Sequence, residues 1–166
     1  MTARHVTILG ALILTGSLLP GAARAAGASD RDGSFLRTES QGAAYELAIA
    51  QLATQKATAS GIKSYAQMVV SDHDQLNAEL RQLASAKGVN LPADMTSKQQ
   101  SDLRRLQGLS GDAFDRAYKE ETTRINAEDV KEDREELAAT ADADIRTFVQ
   151  KLRAADIKHE EAGHKL

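Results

Sequence analysis

Cysteine is absent from this 166-residue chain, and proline occurs only at positions 20 and 92. Without cysteine the chain can form no disulfide, no thiolate nucleophile and no cysteine-ligated metal site. The scarcity of proline, in a body rich in Ala, Leu, Gln, Glu and Lys, favours long helices. Alternating apolar runs of the strand type are missing as well. These absences indicate a helical protein that is stabilised by packing alone.

Several function classes lack their sequence signatures. The formal net charge is −3 at pH 7 and no basic run is present, so nucleic acid and anionic membrane surfaces are poor partners. Glycine-rich phosphate loops are absent, and so are a serine in a strained strand-to-helix turn and a spare His–Asp pair with the logic of a catalytic triad. We therefore expect no nucleic-acid binding and no nucleophilic hydrolysis.

The one long apolar run lies at the N-terminus. A short basic start, Met1 to Arg4, precedes the run VTILGALILTGSLL, which ends at Pro20, and Ala23-Arg24-Ala25 fits a small-residue cleavage site. This pattern is typical of a secretory signal peptide, and the run is short for a membrane span. A retained membrane anchor is the alternative. We predict that residues 1–25 are a cleaved signal peptide, that the protein is periplasmic, and that no transmembrane segment follows.

The remainder of the chain reads as one helical domain, residues 34–166, after a flexible lead-in, residues 26–33. Helix patterns cover about residues 34–57, 61–87, 110–140 and 142–163, with a short helix between 96 and 108. Gly88 is a natural C-terminal cap, and Thr96 to Gln99 looks like a capping box. The long link between the second and third long helices can cross the length of a bundle. The predicted fold is therefore all-α: a ferritin-like four-helix bundle with one long crossover containing a short helix.

Polar residues fall on the apolar faces of these helices. Glu46 projects near the middle of the first face, His73 interrupts the second, and His159 lies on the last at a seven-residue spacing from apolar neighbours. Glu46 and His73 are each about 20 Å from the turn that joins their helices, at 1.5 Å per residue. Asn126 and His159 are similarly placed on the other helical pair. One polar layer is therefore expected across the bundle.

This layer has two interpretations. Imidazoles and carboxylates that converge could bind iron, manganese or zinc, and Asp156-Ile157-Lys158-His159 is a weaker version of the Glu-x-x-His pair of di-iron bundles. Alternatively, the histidines could bond to Glu46, Asn126, Asp129 or a trapped water and only fix the register of the helices. Val70 stands where the second helix of a full di-iron centre would carry a glutamate.

Two stretches of charge are expected at the surface. Asp72 and Asp74 should point outward beside His73, and the charges from Lys131 to Glu136 should form a solvated face.

The order SFLRTESQGAAYELAIAQLATQKATASGIKSYAQMVVSDHDQLNAEL, KGVNLPADM and LSGDAFDRAYKE resembles a bacterial envelope family. This family is domain of unknown function 4142, which belongs to the ferritin-like superfamily. Some of its members are labelled predicted outer membrane protein. The resemblance covers about residues 34–162 and implies the fold, but no established reaction. Glu46, the pair Asp72-His73 and His159 match the family pattern. The family usually carries a further histidine where Asn126 stands, which makes Asp129, one turn on, the candidate substitute ligand.

Two functions remain open from the sequence. The first is a non-enzymatic, stress-associated envelope protein that acts through its surface, for example by binding an envelope partner, and uses the polar layer only for packing. The alternative is a periplasmic metal-binding protein with the ligands Glu46, His73, Asp129 and His159. Metal-dependent oxidation or peroxide handling would be its enzymatic extension. No catalytic residue is assigned. The two functions predict different geometry, because only metal ligands must converge within a few Å.

Overall fold

The computed structural model describes residues 27–166, and the predicted signal peptide lies outside this range. The described residues form five α-helices: α1 (Asp30–Lys56), α2 (Ser60–Lys87), α3 (Ser97–Gln107), α4 (Gly111–Ala139) and α5 (Ala143–Gly163). Within this range no helix is long and apolar enough to cross a membrane. The prediction of an all-α fold with four long helices and a short one in the connection is confirmed.

The helix ends follow the capping residues in the sequence. Gly88 ends α2 in the left-handed conformation, with φ of 71°, which glycine adopts without steric cost. At the start of α3 the Thr96 side chain accepts from the Gln99 backbone, while the Gln99 side chain accepts from the Thr96 N–H at 2.8 Å. Asp142 caps α5 by accepting from the backbone of Asp144. These caps confirm the predicted bounds of three helices to within a residue or two.

The start of the first helix differs from the prediction. α1 begins at Asp30, so residues 30–33 are its first turn and not part of a flexible lead-in. Ser29 is the reason, because its Oγ accepts from the backbone N–H of Asp32 at 3.1 Å. Asp30 and Asp32 also place negative charge at the positive end of the helix dipole.

The four long helices pack as two antiparallel pairs, α1 with α2 and α4 with α5, and α2 contacts α5 while α1 contacts α4. Arg31 near the start of α1 reaches Glu136 near the end of α4, at 3.3 Å. Lys87 at the end of α2 binds Asp142 at the start of α5, at 2.6 Å. Neighbouring long helices are therefore antiparallel, and the segment from Gly88 to Ser110 crosses the length of the bundle. This is the predicted ferritin-like connectivity.

The interior contains two apolar clusters. One is built around Ile49, Val69 and Tyr118 and the other around Leu36, Leu80 and Leu152. Burying each such large side chain contributes about 1.5–3 kcal/mol. On α2, His73 lies between the residues that belong to the two clusters. A polar layer therefore divides the core at mid-height, and this layer is the candidate site.

Candidate metal centre

Three of the predicted ligands lie together inside the bundle. Glu46 of α1, His73 of α2 and His159 of α5 each offer one ligand atom, and these atoms lie within 4.8 Å of one another. The residues are 8%, 1% and 1% exposed. They come from three helices, and the packing of α2 against α1 and against α5 sets their common height. The arrangement depends on the rigid bundle rather than on a loop.

His73 is a buried imidazole without a hydrogen bond. Its Nε2 lies 3.4 Å from Oε2 of Glu46, but neither ring nitrogen has a hydrogen-bond partner among the described residues. Burial lowers the pKa of His73, but the Glu46 carboxylate more than offsets this effect, so the net pKa lies above the usual value. Leaving a buried polar group unpaired costs about 1–3 kcal/mol. The His73 imidazole is therefore buried beside a carboxylate, with both of its ring nitrogens left without a hydrogen bond to any described residue.

His159 is held by a carboxylate on the neighbouring helix. Its Nε2 lies 2.9 Å from Oδ2 of Asp72, which also accepts from Nζ of Lys158 at 2.8 Å. The other ring nitrogen, Nδ1, has no hydrogen-bond partner among the described residues. Burial lowers the pKa of His159 by more than Asp72 raises it. The neutral form, which is the form that binds metals, is therefore favoured.

Asp72 was expected to point outward, and that expectation is wrong. Its carboxylate is half-buried at the interface of α2 and α5, where it bridges His159 and Lys158. Burial alone would raise the pKa of Asp72, but the hydrogen bonds from Lys158 and His159 bring it below the usual value. A carboxylate that accepts from one nitrogen of a histidine fixes its ring orientation and tautomer. Asp72 is therefore a positioning residue that its sequence position beside His73 did not reveal.

Asn126 and Asp129 lie beside the converging group and not within it. Asn126 is buried and donates from Nδ2 to the Tyr65 hydroxyl at 2.9 Å, and with Glu46 it lines a small cavity of about 10 Å³. Asp129 is half-buried and lines a larger pocket that Glu46 also reaches. Burial raises the pKa of Asp129 well above its usual value, and the charge of Glu46 raises it further.

Buried acids extend the polar layer along α4 and α5. Asp133 is 2% exposed and Glu136 is 3% exposed, so the prediction of a solvated face from Lys131 to Glu136 is wrong for these two residues. Burial raises the pKa of Asp133 to about 7 and that of Asp156 well above its usual value. Asp133 lies eight residues after Ile125. A step of eight residues turns the helix by about 80°, which places Asp133 near the edge of the apolar face, where the sequence alone does not decide burial.

The donor set fits a transition metal. Two imidazoles and one carboxylate are the ligands of catalytic zinc sites and of the 2-His-1-carboxylate iron(II) centres. The three buried residues leave further coordination positions for water or another ligand. Asp72 supplies the outer hydrogen bond that metal-bound histidines usually make. The arrangement can therefore bind a divalent cation, and a full di-iron site would need carboxylates that the converging group does not include.

The comparisons with known proteins agree with this fold and assign no activity. The model of the family described as Domain of unknown function (DUF4142) matches residues 17–166. No curated protein matches the chain. The structure is similar to the crystal structure of a DUF305 fragment from Deinococcus radiodurans, with a TM-score of 0.74 and 11% identity, over 84% of this chain and 96% of that one. At that identity the likeness shows the fold alone.

Proposed function

Because the chain belongs to the DUF4142 family, whose fold does not determine an activity, we propose from the site itself that this protein binds one transition-metal ion. The ligands are Glu46, His73 and His159. The observation that carries the proposal is the convergence of their ligand atoms within 4.8 Å in the bundle interior. The proposal is of binding and assigns no reaction.

The hydrogen bonds support a ligand role over a purely structural one. A histidine that only fixed helix register would close onto a local partner. His73 does not, because its contact with Glu46 at 3.4 Å lacks hydrogen-bond geometry and its other nitrogen is unpaired among the described residues. A bound cation would interact with both the lone pair of His73 and the carboxylate of Glu46. It would thereby remove the desolvation cost that both groups bear.

The donor types narrow the choice of metal. Imidazole suits zinc and iron, whereas manganese prefers carboxylate and water oxygen. Two imidazoles with one carboxylate therefore favour zinc or iron(II) over manganese among the three candidates. The chain has no cysteine and the converging group contains no methionine, so the soft sulfur ligands that would favour copper(I) are missing from this group.

The N-terminal sequence supports a periplasmic location for this metal-binding protein. The basic start, the apolar run and the Ala23-Arg24-Ala25 motif are those of a cleaved export signal. N-terminal sequencing of the protein recovered from the periplasm of a Gram-negative host should begin at Ala26. Recovery of the uncleaved chain from the membrane fraction would instead support the anchor.

The binding test is a titration of the untagged protein with Zn²⁺ and, without oxygen, with Fe²⁺, followed by calorimetry and elemental analysis. We expect one ion per chain, retained in His164→Ala and lost in His73→Ala. His164 is the matched control, because it is an exposed histidine at the end of α5, outside the converging group. Circular dichroism checks that both variants stay helical. Equal binding by folded His73→Ala, or no binding by the wild type, would overturn the proposal.

A further inference from the structure

A pocket at the surface of the bundle also extends to Glu46. This pocket has a volume of about 340 Å³ and opens between α1, α3 and α4. Its wall carries six carboxylates: Glu39, Glu46, Asp102, Glu128, Asp129 and Glu132. Only two basic side chains, Lys98 and Arg124, also line it. The pocket is therefore strongly acidic.

The two bases are already paired with acids at the mouth of the pocket. Lys98 binds Asp102 at 2.7 Å, and Arg124 binds Glu121 at 2.6 Å and Glu128 at 2.5 Å. Four carboxyls of the pocket remain. Glu46 faces His73 at 3.4 Å, and Glu39, Asp129 and Glu132 make no ion pair with any other described residue. Burial raises the pKa of Glu39 to about 8 and that of Asp129 well above its usual value, so the exposed Glu132 supplies the charge that attracts cations. The two buried carboxyls supply oxygen atoms that a divalent cation can bind when it displaces their protons.

Glu46 connects this pocket with the buried histidines. It lines the pocket and also belongs to the converging group with His73 and His159. Gly42, one turn before Glu46 on α1, lies in the same wall, and a Cβ at this position would meet no atom within 4 Å. The path along α1 to Glu46 is thus unobstructed at the glycine.

The opposite side of the bundle, between α2 and α5, has no comparable group of carboxylates among the described residues to attract a cation. The grooves between α2 and α5 carry acids that are already paired, Glu79 with Lys151 and Asp72 with Lys158, each at 2.8 Å. The pair of Asp72 and Lys158 also lies directly outside His159. A cation approaching from that side would meet ammonium groups before it reached an imidazole.

We propose that the acidic pocket between α1, α3 and α4 is the entrance through which a hydrated divalent cation reaches the histidines. Glu46 exchanges water for carboxylate oxygen on the cation and passes it inward. Asp129 acts in this entrance and not as a ligand. The inference rests on the proposed metal binding, and it concerns the rate of entry rather than the equilibrium affinity.

Two charge-reversal variants test whether the charge of the pocket speeds the entry of the cation. The probe is Zn²⁺, mixed rapidly with the protein and followed by a competing chelator dye. Glu132→Lys reverses an exposed charge at the pocket, and Glu79→Lys makes the same net change on the opposite side. We expect the association rate to fall about fivefold to tenfold in Glu132→Lys, with less effect at high salt. The dissociation rate should stay the same, and Glu79→Lys should behave like the wild type.

Two variants at Gly42 test whether the cation passes along this wall of the pocket, and neither changes the charge. Gly42→Leu places a branched side chain in the pocket wall, and Gly42→Ala controls for the loss of glycine from the helix. The association rate should fall at least about threefold in Gly42→Leu relative to Gly42→Ala, as expected when a path is narrowed but the ligands are intact. Helicity and zinc stoichiometry should be equal in the two variants.

The outcomes separate this inference from the proposed function. If the wild type binds one Zn²⁺ and neither Glu132→Lys nor Gly42→Leu slows binding, the proposal of an entrance is wrong, but the proposed metal site is not affected. If Asp129→Asn loses affinity through faster dissociation while the association rate is unchanged, Asp129 is a ligand and its role here is wrong. If the wild type binds no metal, the proposed function and the entrance are both overturned.

Discussion

His73 and His159 stack inside the bundle, with ring centroids 5.8 Å apart and planes inclined by 29°. Their pKa values shift in opposite directions, because burial is offset by Glu46 at His73 and dominates at His159. Two equivalent groups in one apolar core would shift alike. The difference arises from the carboxylate that each ring faces, Glu46 on α1 or Asp72 on α2.

Asp72→Asn should weaken metal binding without removing a ligand. The amide is isosteric but lacks the charge that orients the His159 ring and fixes its tautomer. Loss of such an outer partner typically costs about 10–100-fold in metal affinity. Calorimetric titration with Zn²⁺ measures the change, and Asp74→Asn is the control, since Asp74 is exposed on the same turn of α2. Equal affinities for the two variants would remove Asp72 from the site.

Stability should fall as pH rises from 5.5 to 8.5. The folded pKa of Asp133 is raised to about 7 and that of Glu39 to about 8, chiefly by burial. A raised acid pKa contributes stability that is complete below the unfolded value, near 4, and is lost as pH passes the folded value. The raised pKa of His73 acts in the same direction, and the lowered pKa of His159 opposes it. The net loss in the free energy of unfolding, measured with urea, is expected to be about 2–5 kcal/mol, since each pKa unit corresponds to about 1.4 kcal/mol.

The variant Asp133→Asn measures how much of the pH dependence of stability comes from the Asp133 carboxyl. The neutral amide cannot ionise in the core, so the variant should be more stable than the wild type at pH 8.5 and show a flatter pH profile. Asp112→Asn, at an exposed position in the first turn of α4, should leave the profile unchanged. A profile as steep in Asp133→Asn as in the wild type would contradict the assignment.

Asp115→Ala should destabilise the turn between α1 and α2. The Asp115 carboxylate, from the start of α4, accepts from the backbone N–H groups of Thr58 at 3.0 Å and Ala59 at 2.9 Å, and from the Thr58 hydroxyl. Removing it leaves these donors unpaired, at a cost of about 1–3 kcal/mol. Urea unfolding measures the loss, against Asp112→Ala as the control on the same helix. A change no larger than that of the control would show that water replaces the carboxylate.

Two tyrosines should respond differently to loss of the hydroxyl. The Tyr118 hydroxyl is fully buried and has no hydrogen-bond partner among the described residues, whereas Tyr45 donates to Glu121 at 3.0 Å. Tyr118→Phe should therefore leave stability unchanged or raise it by up to about 1 kcal/mol, and Tyr45→Phe should lose about 1 kcal/mol. Thermal unfolding of the two variants provides the comparison. A clear loss in Tyr118→Phe would mean that its hydroxyl has a partner.

The sequence predicted those parts of the site that depend on helix geometry. Glu46 and His73 were placed at one height because residues on two helices joined by a tight turn can be counted from that turn. His159 followed from the seven-residue spacing on α5. The roles of Asp72 and Asp133 could not be predicted in this way. Each carries a charge near the edge of an apolar face, where a rotation of the helix by a few tens of degrees decides between solvent and core.

The sequence by itself determined the helical class, the capped helix ends, the single long crossover and the inward position of two histidines. These features depend on local propensity, capping and periodicity, which act over a few residues. Only the tertiary structure decided that Asp72 holds His159, that Asp129 lies outside the converging group, and that an acidic pocket reaches Glu46. These relationships depend on the rotation and separation of packed helices. Those are fixed by the fit of all the side chains in the core and not by any one segment.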